Sequence, residues 1–248
     1  MGTKHILPVL AGVLLSLLAF SCGKAEEETP EKVVIPEAVD LGLSVKWASF
    51  DVGASKPGGT GYYVAWGEAA PKDTYYKWET YAWGHSYNTL TKYNNNPAYG
   101  TSPDYRIRLK QEDDIAHVLY GGQWRTPTPE EMQELIDCPF ITQSVETVDG
   151  IDCLKLTSAK TGKSILFPAG GLCEDTMSPK GRNYAGYYWS DEIDYTDNPL
   201  MLEYHNPSNA IFMLVSPEVK TAHFTSMHLH IWGRAHGMNV RAVFGARQ

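Results

Sequence analysis

Apolar positions along this 248-residue chain follow three patterns. The first is one continuous run, Ile6 to Phe20, broken only by Pro8 and small residues and preceded by Lys4 and His5. It is shorter than the ~20 residues that span a bilayer and has the length of a signal-peptide core. No later apolar stretch reaches spanning length. The second pattern is helical. Ile115, Val118 and Leu119 share a face at i, i+3 and i+4, with Glu112, Asp113 and Asp114 expected in the first turn, where acids favour the helix dipole, and Gly121-Gly122 as the stop. A second helix begins at Thr128 as N-cap, with Pro129 in the first helical position and Glu131 completing a capping box. Met132, Leu135 and Ile136 form its apolar face, and Pro139 blocks its continuation.

The third pattern is short alternation between turn residues, which predicts many short strands and long loops. Val39–Ala48 reads as a strand or strand pair, and Gly61–Glu68 as another. Cys153–Thr157 and Ser164–Phe167 flank a turn at Thr161-Gly162 and form a hairpin. Further strands are expected at Ala185–Ser190, Ala210–Val215, Thr221–Trp232 and Asn239–Phe244. Between them Tyr75 to Tyr105 is polar and aromatic, with Asn94-Asn95-Asn96-Pro97 and Gly100 as breakers. A loop of that length is usually functional or packed by its own side chains.

Several landmarks recur in a characteristic order: Val39-Asp40-Leu41-Gly42-Leu43-Ser44-Val45-Lys46-Trp47-Ala48, Asp51-Val52-Gly53-Ala54, Ala65-Trp66-Gly67-Glu68, Tyr87 to Asn94, and Glu112-Asp113-Asp114-Ile115-Ala116. After these come Gly122-Gln123-Trp124-Arg125-Thr126-Pro127-Thr128, Phe167-Pro168-Ala169-Gly170-Gly171, Gly186-Tyr187-Tyr188-Trp189-Ser190 and Val240-Arg241-Ala242-Val243. This succession, about residues 38 to 245, resembles the Fibrobacter major-paralogous domain family, abundant in lipoproteins of Bacteroidetes. The resemblance implies an α+β fold of the C-type-lectin-like, formylglycine-generating-enzyme-like kind: one domain at 38–248 with two short helices, about 112–120 and 129–137, short antiparallel strands and long loops. Trp47, Trp66, Trp124 and Trp189 sit beside small residues in strand-like contexts and are expected in the core. Arg125 is expected to fix loops through its guanidinium donors.

Cys22 changes the picture of where the chain resides. It follows Leu14 to Ser21 and precedes Gly23-Lys24-Ala25 and Glu26-Glu27-Glu28. These residues resemble a bacterial lipoprotein signal, with Ala19 where the usual box has Leu. Residues 1–21 are then a signal peptide, and Cys22 is the lipid attachment site. Residues 22–37, with Pro30 and Pro36, form an acidic tether. Each buried acyl methylene contributes about 0.8 kcal/mol, so several chains anchor firmly. The basic-then-acidic stretch Lys24 to Glu28 resembles an export signal to the outer face of the outer membrane.

Composition narrows the chemistry. Hydrophobic content of 43% and charged content of 20% suit a folded domain with a sizeable core. The net charge of −8 and the lack of a basic tract argue against a nucleic-acid partner. Beyond Cys22 the cysteines are Cys138, Cys153 and Cys173. Cys138 and Cys153 can pair in an exported protein; three free thiols are the alternative. The formylglycine-generating relatives carry a reactive cysteine pair late in the fold, and nothing after Cys173 supplies one. No Gly-x-Ser-x-Gly, His-Glu-x-x-His or phosphate loop is present, so no catalytic residue and no cofactor is assigned. His228 and His230 can share a strand face, with His223 and His236 nearby in sequence, but zinc takes three or four ligands and no metal site is assigned. Asp113-Asp114 offers carboxylates to calcium, yet helix N-terminal acids explain the pair at least as well. What remains is aromatic: twelve rings between Tyr62 and Tyr105, suited to sugar or protein contacts or to packing the loops. Tyr62, Tyr75, Tyr76, Trp78, Tyr81 and Trp83 are the candidate ligand-binding residues. The expectation is a lipid-anchored, non-enzymatic surface module for a glycan or protein ligand. A structural or adhesin component of the envelope, or an extracellular enzyme, is the alternative.

Overall fold

The folded chain is joined first at Glu37, whose carbonyl accepts the Ser49 amide at 2.9 Å. The computed structural model describes residues 33–195, 206–217 and 226–247. Cys22, the signal segment, His223 and the first part of the strand expected from Thr221 lie outside the described residues. The elements are β1 (Ala38–Val39), β2 (Lys46–Ala48), α1 (Ile115–Tyr120), β3 (Trp124–Arg125), α2 (Pro129–Asp137), β4 (Ile141–Val148), β5 (Ile151–Ser158), β6 (Ser164–Pro168), β7 (Gly186–Ile193), β8 (Asn209–Val215), β9 (Met227–Gly233) and β10 (Val243–Phe244). They form an α+β protein with three small antiparallel sheets, ordered β1-β2-β10-β3, β4-β5-β6 and β7-β8-β9.

The sequence rules hold where local chemistry is strong. Helix α2 runs over its expected residues, and both halves of the Thr128–Glu131 capping box are made. Met132 and Leu135 are buried with Met213, Val215 and Met227 of β8 and β9. Helix α1 starts later than the acids suggest. Gln111–Asp113 is a separate 3-10 turn, and Asp114 is the N-cap, accepting from the Ala116 amide at 3.0 Å. Asp114 has just two free-rotating bonds and a carboxylate, so capping competes with helix entry. Val118, expected on the buried face, is exposed; Ile115, Ala116 and Tyr120 are the buried residues.

Two other expectations need revision. Gly61–Glu68 is not a strand, keeping only an isolated bridge between Val64 and Met238. A Cβ at Gly61 would lie 2.1 Å from the Val52 carbonyl oxygen, so the chain passes too close to its neighbour for a regular ladder. Cys138, Cys153 and Cys173 are all free thiols. Cys153 faces inward from β5 and Cys138 sits at the C-cap of α2, so the pairing is not formed. Strand β4 and its Asp149-Gly150 turn add a third strand to the expected hairpin.

Strands β7 and β8 separate two core clusters. Trp189, Phe212 and Ala210 face one with Trp66, Trp124 and Val240. Tyr188, Met213 and Val215 face the other with Trp47, Phe167 and α2. This is the period of two of an extended chain with both faces covered. All four tryptophans expected in the core are there. Arg125 holds Glu131 through both oxygens at 2.8 and 2.5 Å and donates to the carbonyls of Gly245 and Ala246.

At the centre lies the fully buried pair Arg241–Asp51. Arg241 donates to Asp51 Oδ1 at 2.9 and 2.6 Å, to the Leu166 carbonyl at 2.6 Å and to the Ala48 carbonyl at 3.3 Å. Removing one partner of such a pair strands a buried charge and costs about 3–5 kcal/mol. Arg241→Met should therefore lower urea-unfolding stability by about that amount. The Asp51→Asn/Arg241→Met double variant should lose less than the sum of the single losses. Simple additivity in that cycle would mean the pair is not a coupled unit.

Candidate functional site

Strand β9 alternates cleanly. Met227 and Ile231 are buried, while His228, His230 and Trp232 lie on the opposite face, where period two places them together. Across the sheet His230 faces Phe212 and Trp232 faces Ala210. Tyr187, Phe212 and His230 form a row of rings, with neighbouring centroids 5.7 Å apart at each step. The inner end of the row joins the core, and the outer end opens to solvent at His230 and Trp232. Trp232 is 41% exposed. Of the seven tryptophans in the sequence, it alone falls among the exposed residues.

Trp232 borders a hollow of about 530 Å³ shared with Glu174, Asn209, His230, Gly233 and His236. Two backbone contacts build it. Cys173 and Gly237 exchange amide-to-carbonyl bonds of 2.8 Å in both directions, which sets Glu174 next to His236. The His236 Nε2 then lies 3.5 Å from Glu174 Oε1, and its ring is 6.0 Å from that of Trp232. The His236 Nδ1 is buried beside the Gly233 backbone. Burial lowers the His236 pKa, and Glu174 opposes the shift only partly, so the ring is neutral at pH 7. The hollow thus offers an aromatic face, a carboxylate acceptor, an amide and a neutral imidazole. It can stack against one flat apolar face and hydrogen-bond to hydroxyls around its edge.

The six rings singled out in the sequence take other places. Tyr81 is fully buried and its hydroxyl donates to the Trp66 carbonyl at 2.7 Å. Tyr76 is buried, its hydroxyl donating to the Tyr63 carbonyl and accepting from the Lys72 amide. Neither presents a face to a ligand. The reason is local: residues 75 to 105 hold only short 3-10 turns, so the rings themselves supply the packing that strands would give. Trp83 donates to the Gly67 carbonyl at 2.8 Å and lies under Lys92. Trp78 packs edge-on against Tyr81. Tyr62 covers Gly53, whose φ is +84° and where a Cβ would sit 2.4 Å from the Tyr62 ring. Tyr75 alone of the six is exposed, at 54%.

This segment nevertheless positions the hollow. Tyr76 exchanges backbone bonds with Asp175 and Thr176, and its ring lies where a Cβ on Gly237 would come within 2.8 Å. Four of the rings expected to touch a ligand, Tyr76, Trp78, Tyr81 and Trp83, instead pack in the cluster that holds Cys173 and Ala235, the neighbours of Glu174 and His236. The signal for Trp232 was the alternation His228-x-His230-x-Trp232, read in the sequence only for its histidines.

Other candidate chemistry is engaged elsewhere. Among the described residues no group of three His, Cys, Asp or Glu side chains is arranged to hold a metal. Asp113 takes Lys92 and the Tyr93 hydroxyl, and Asp114 takes the Thr126 amide and hydroxyl. Burial pushes the Cys153 and Cys173 thiols up to about 11, which keeps them protonated and unreactive at neutral pH.

His236 gives a pH signature. Its pKa in the folded chain lies below 6.5, so on acidification the unfolded chain takes up the proton first. Stability from this group is present above pH 6.5 and is lost as pH falls toward the folded value, with a slope of up to about 1.4 kcal/mol per pH unit. His236→Gln should flatten urea-unfolding stability between about pH 6.5 and pH 5; an unchanged slope would show that another group controls it.

Comparisons with protein-family models, with curated proteins and with solved structures find no match for this chain.

Proposed function

We propose that this chain is a lipid-anchored surface module that binds a neutral glycan at the Trp232 hollow without chemical conversion. The observation that carries the reading is the exposed Trp232 ring beside Glu174, Asn209 and His236. Sugar rings have one apolar face and a rim of hydroxyls, and the hollow answers with a ring and a rim of acceptors and donors. A protein ligand fits less well, because the hollow is small and polar-edged, whereas protein interfaces bury about 800 Å² on each partner.

The family reading accompanies this proposal. A lectin-like domain of the Fibrobacter major-paralogous kind is supported by two short helices, small antiparallel sheets and a long irregular stretch. It is also supported by the core placement of Trp47, Trp66, Trp124 and Trp189 within the shared landmarks. Attachment at Cys22 and residence on the outer face of the outer membrane rest on the sequence around that residue. The protonated, buried thiols of Cys153 and Cys173 favour binding over cysteine-based catalysis.

Two experiments test the parts separately. On a glycan array probed with the full chain in detergent, Trp232→Ala should weaken binding by at least about tenfold. Its effect on unfolding stability should stay within about 0.5 kcal/mol, as for other exposed positions. Tyr87→Ala, an exposed ring outside the hollow, serves as the control. Full retention of glycan binding by Trp232→Ala would remove the hollow from consideration. In cells, Cys22→Ala should move the protein from the membrane to the soluble fraction and abolish incorporation of labelled fatty acid. Persistent membrane retention would contradict lipidation.

A further inference from the structure

Arg106-Ile107-Arg108-Leu109-Lys110 alternates cation with apolar residue. The stretch is extended beside β7: the Ile193 amide donates to the Ile107 carbonyl at 3.0 Å, and the Leu109 amide to the Asp191 carbonyl at 2.9 Å. Period two sends Ile107 and Leu109 into the core beside Trp189 and Ile193 and puts Arg106, Arg108 and Lys110 on the other face. All three line a cleft of about 780 Å³. Arg247 enters from beyond β10, donates to the Leu109 carbonyl at 3.2 Å and lies 2.7 Å from Asp191. The sequence has seven arginines. Two, Arg234 and Arg241, are sealed in the core, and four line this cleft. In a chain of net charge −8, the lining sets Lys110 and these four arginines against two carboxylates, Glu112 and Asp114.

The donors are unequally committed. Arg125 is consumed by Glu131 and two carbonyls. Arg108 gives its Nε to the buried Glu192, and Arg247 gives one Nη to the buried Asp191. These carboxylates hold both side chains from behind, and the Arg108 Nη2 also lies 3.8 Å from Glu130 Oε1, an exposed pair. Arg106 lies 3.8 Å from the half-buried Asp104 and Lys110 3.1 Å from the exposed Glu112. Surface pairs of that kind are easily exchanged for another anion. Asp114, the other carboxylate on the lining, is used up by Ala116 and Thr126.

We propose that this cleft binds an acidic polysaccharide, with carboxylate or sulfate groups recurring along an extended chain. Alternate residues of an extended strand are ~6.6 Å apart, so the three cations form a ladder of ~13 Å. A ladder suits a linear polyanion, whereas a single small anion calls for converging donors. Single-stranded nucleic acid is the less fitting polyanion, because its binders present ring faces on which bases stack. Of the two rings in this lining, Trp124 is buried and packed edge-on against Tyr120 and Phe244, and His117 turns its Nδ1 to the Trp124 carbonyl at 3.3 Å. The inference stands apart from the Trp232 hollow and uses none of its residues.

The test is surface plasmon resonance with the full chain in detergent over heparin (sulfated), polygalacturonate (carboxylated), neutral dextran and oligothymidylate. At least one acidic polysaccharide should bind, with affinity falling as salt rises from about 50 to about 200 mM. Arg106→Gln with Lys110→Gln, both at accessible positions, should weaken it about tenfold while leaving the melting temperature in place. Binding to heparin alone or to polygalacturonate alone names the acidic group. Any dextran signal belongs to the hollow and should survive both salt and the double variant. The proposal is overturned if neither acidic polysaccharide binds at low salt, if the folded double variant binds as the parent does, or if oligothymidylate binds more tightly than both.

Discussion

The Asp51–Arg241 pair is the constraint through which the three sheets share one interior. Arg241 precedes β10 and donates to Ala48 at the end of β2 and to Leu166 within β6. Its guanidinium sits 4.4 Å from the Phe167 ring centroid. Tyr188 of β7 reaches Asp51 and the Pro168 carbonyl. One buried cation therefore touches the first sheet and the second directly, and the third through Asp51 and Tyr188. None of these sheets exceeds four strands, and a small open sheet with one covered face is weak by itself. A buried charge pair is an uncertain source of net stability. Here its geometric effect is clearer: each carbonyl it engages belongs to a different piece of the fold, so the pieces have one mutual arrangement that satisfies all of them.

Arg234 does the corresponding work for the irregular part. It is fully buried, donates to the carbonyls of Tyr93 and Lys92 and lies over the rings of Trp66 and Tyr81 at 5.3 and 5.5 Å. No carboxylate is bonded to it in that set of contacts. The rings and carbonyls replace water around the cation, consistent with the weak hydration of a guanidinium. This ties the Tyr75–Tyr105 stretch to the turn that carries Ala235 and His236. The wall of the hollow is thereby joined to a loop without regular structure that is fastened at its rings.

How much of this was legible depended on whether the signal was local. The α2 boundaries were, because Thr128, Pro129 and Glu131 specify a helix start through bonds only three residues apart. The Asp149-Gly150 turn, with φ of 51 and 77, carries an equally local hairpin signal, but β4 is mostly exposed and its alternation has no buried face to mark it. The aromatic residues were illegible for a different reason. A Tyr or Trp in polar company reads the same whether its face meets solvent or its hydroxyl meets a buried carbonyl, as in Tyr81 and Tyr76. Only the long-range partner decides. The two surfaces proposed to bind do have sequence traces, both of period two: His228-x-His230-x-Trp232 and Arg106-x-Arg108-x-Lys110. The latter escapes a search for basic runs because apolar residues interrupt it.

The lipid anchor proposed at Cys22 changes what affinity such surfaces must supply. The hollow and the cleft are both open and partly polar, and a single sugar unit gains little contact from either. A module held on a membrane meets a polymer that presents the same unit many times. After the first contact, further contacts form at the effective concentration set by tether length and polymer spacing, and avidity can exceed single-site affinity by about 10²–10⁴. In the proposed arrangement, neighbouring anchored copies engage the same polymer. Weak individual sites are then an advantage: each contact can release and re-form while the polymer as a whole stays bound.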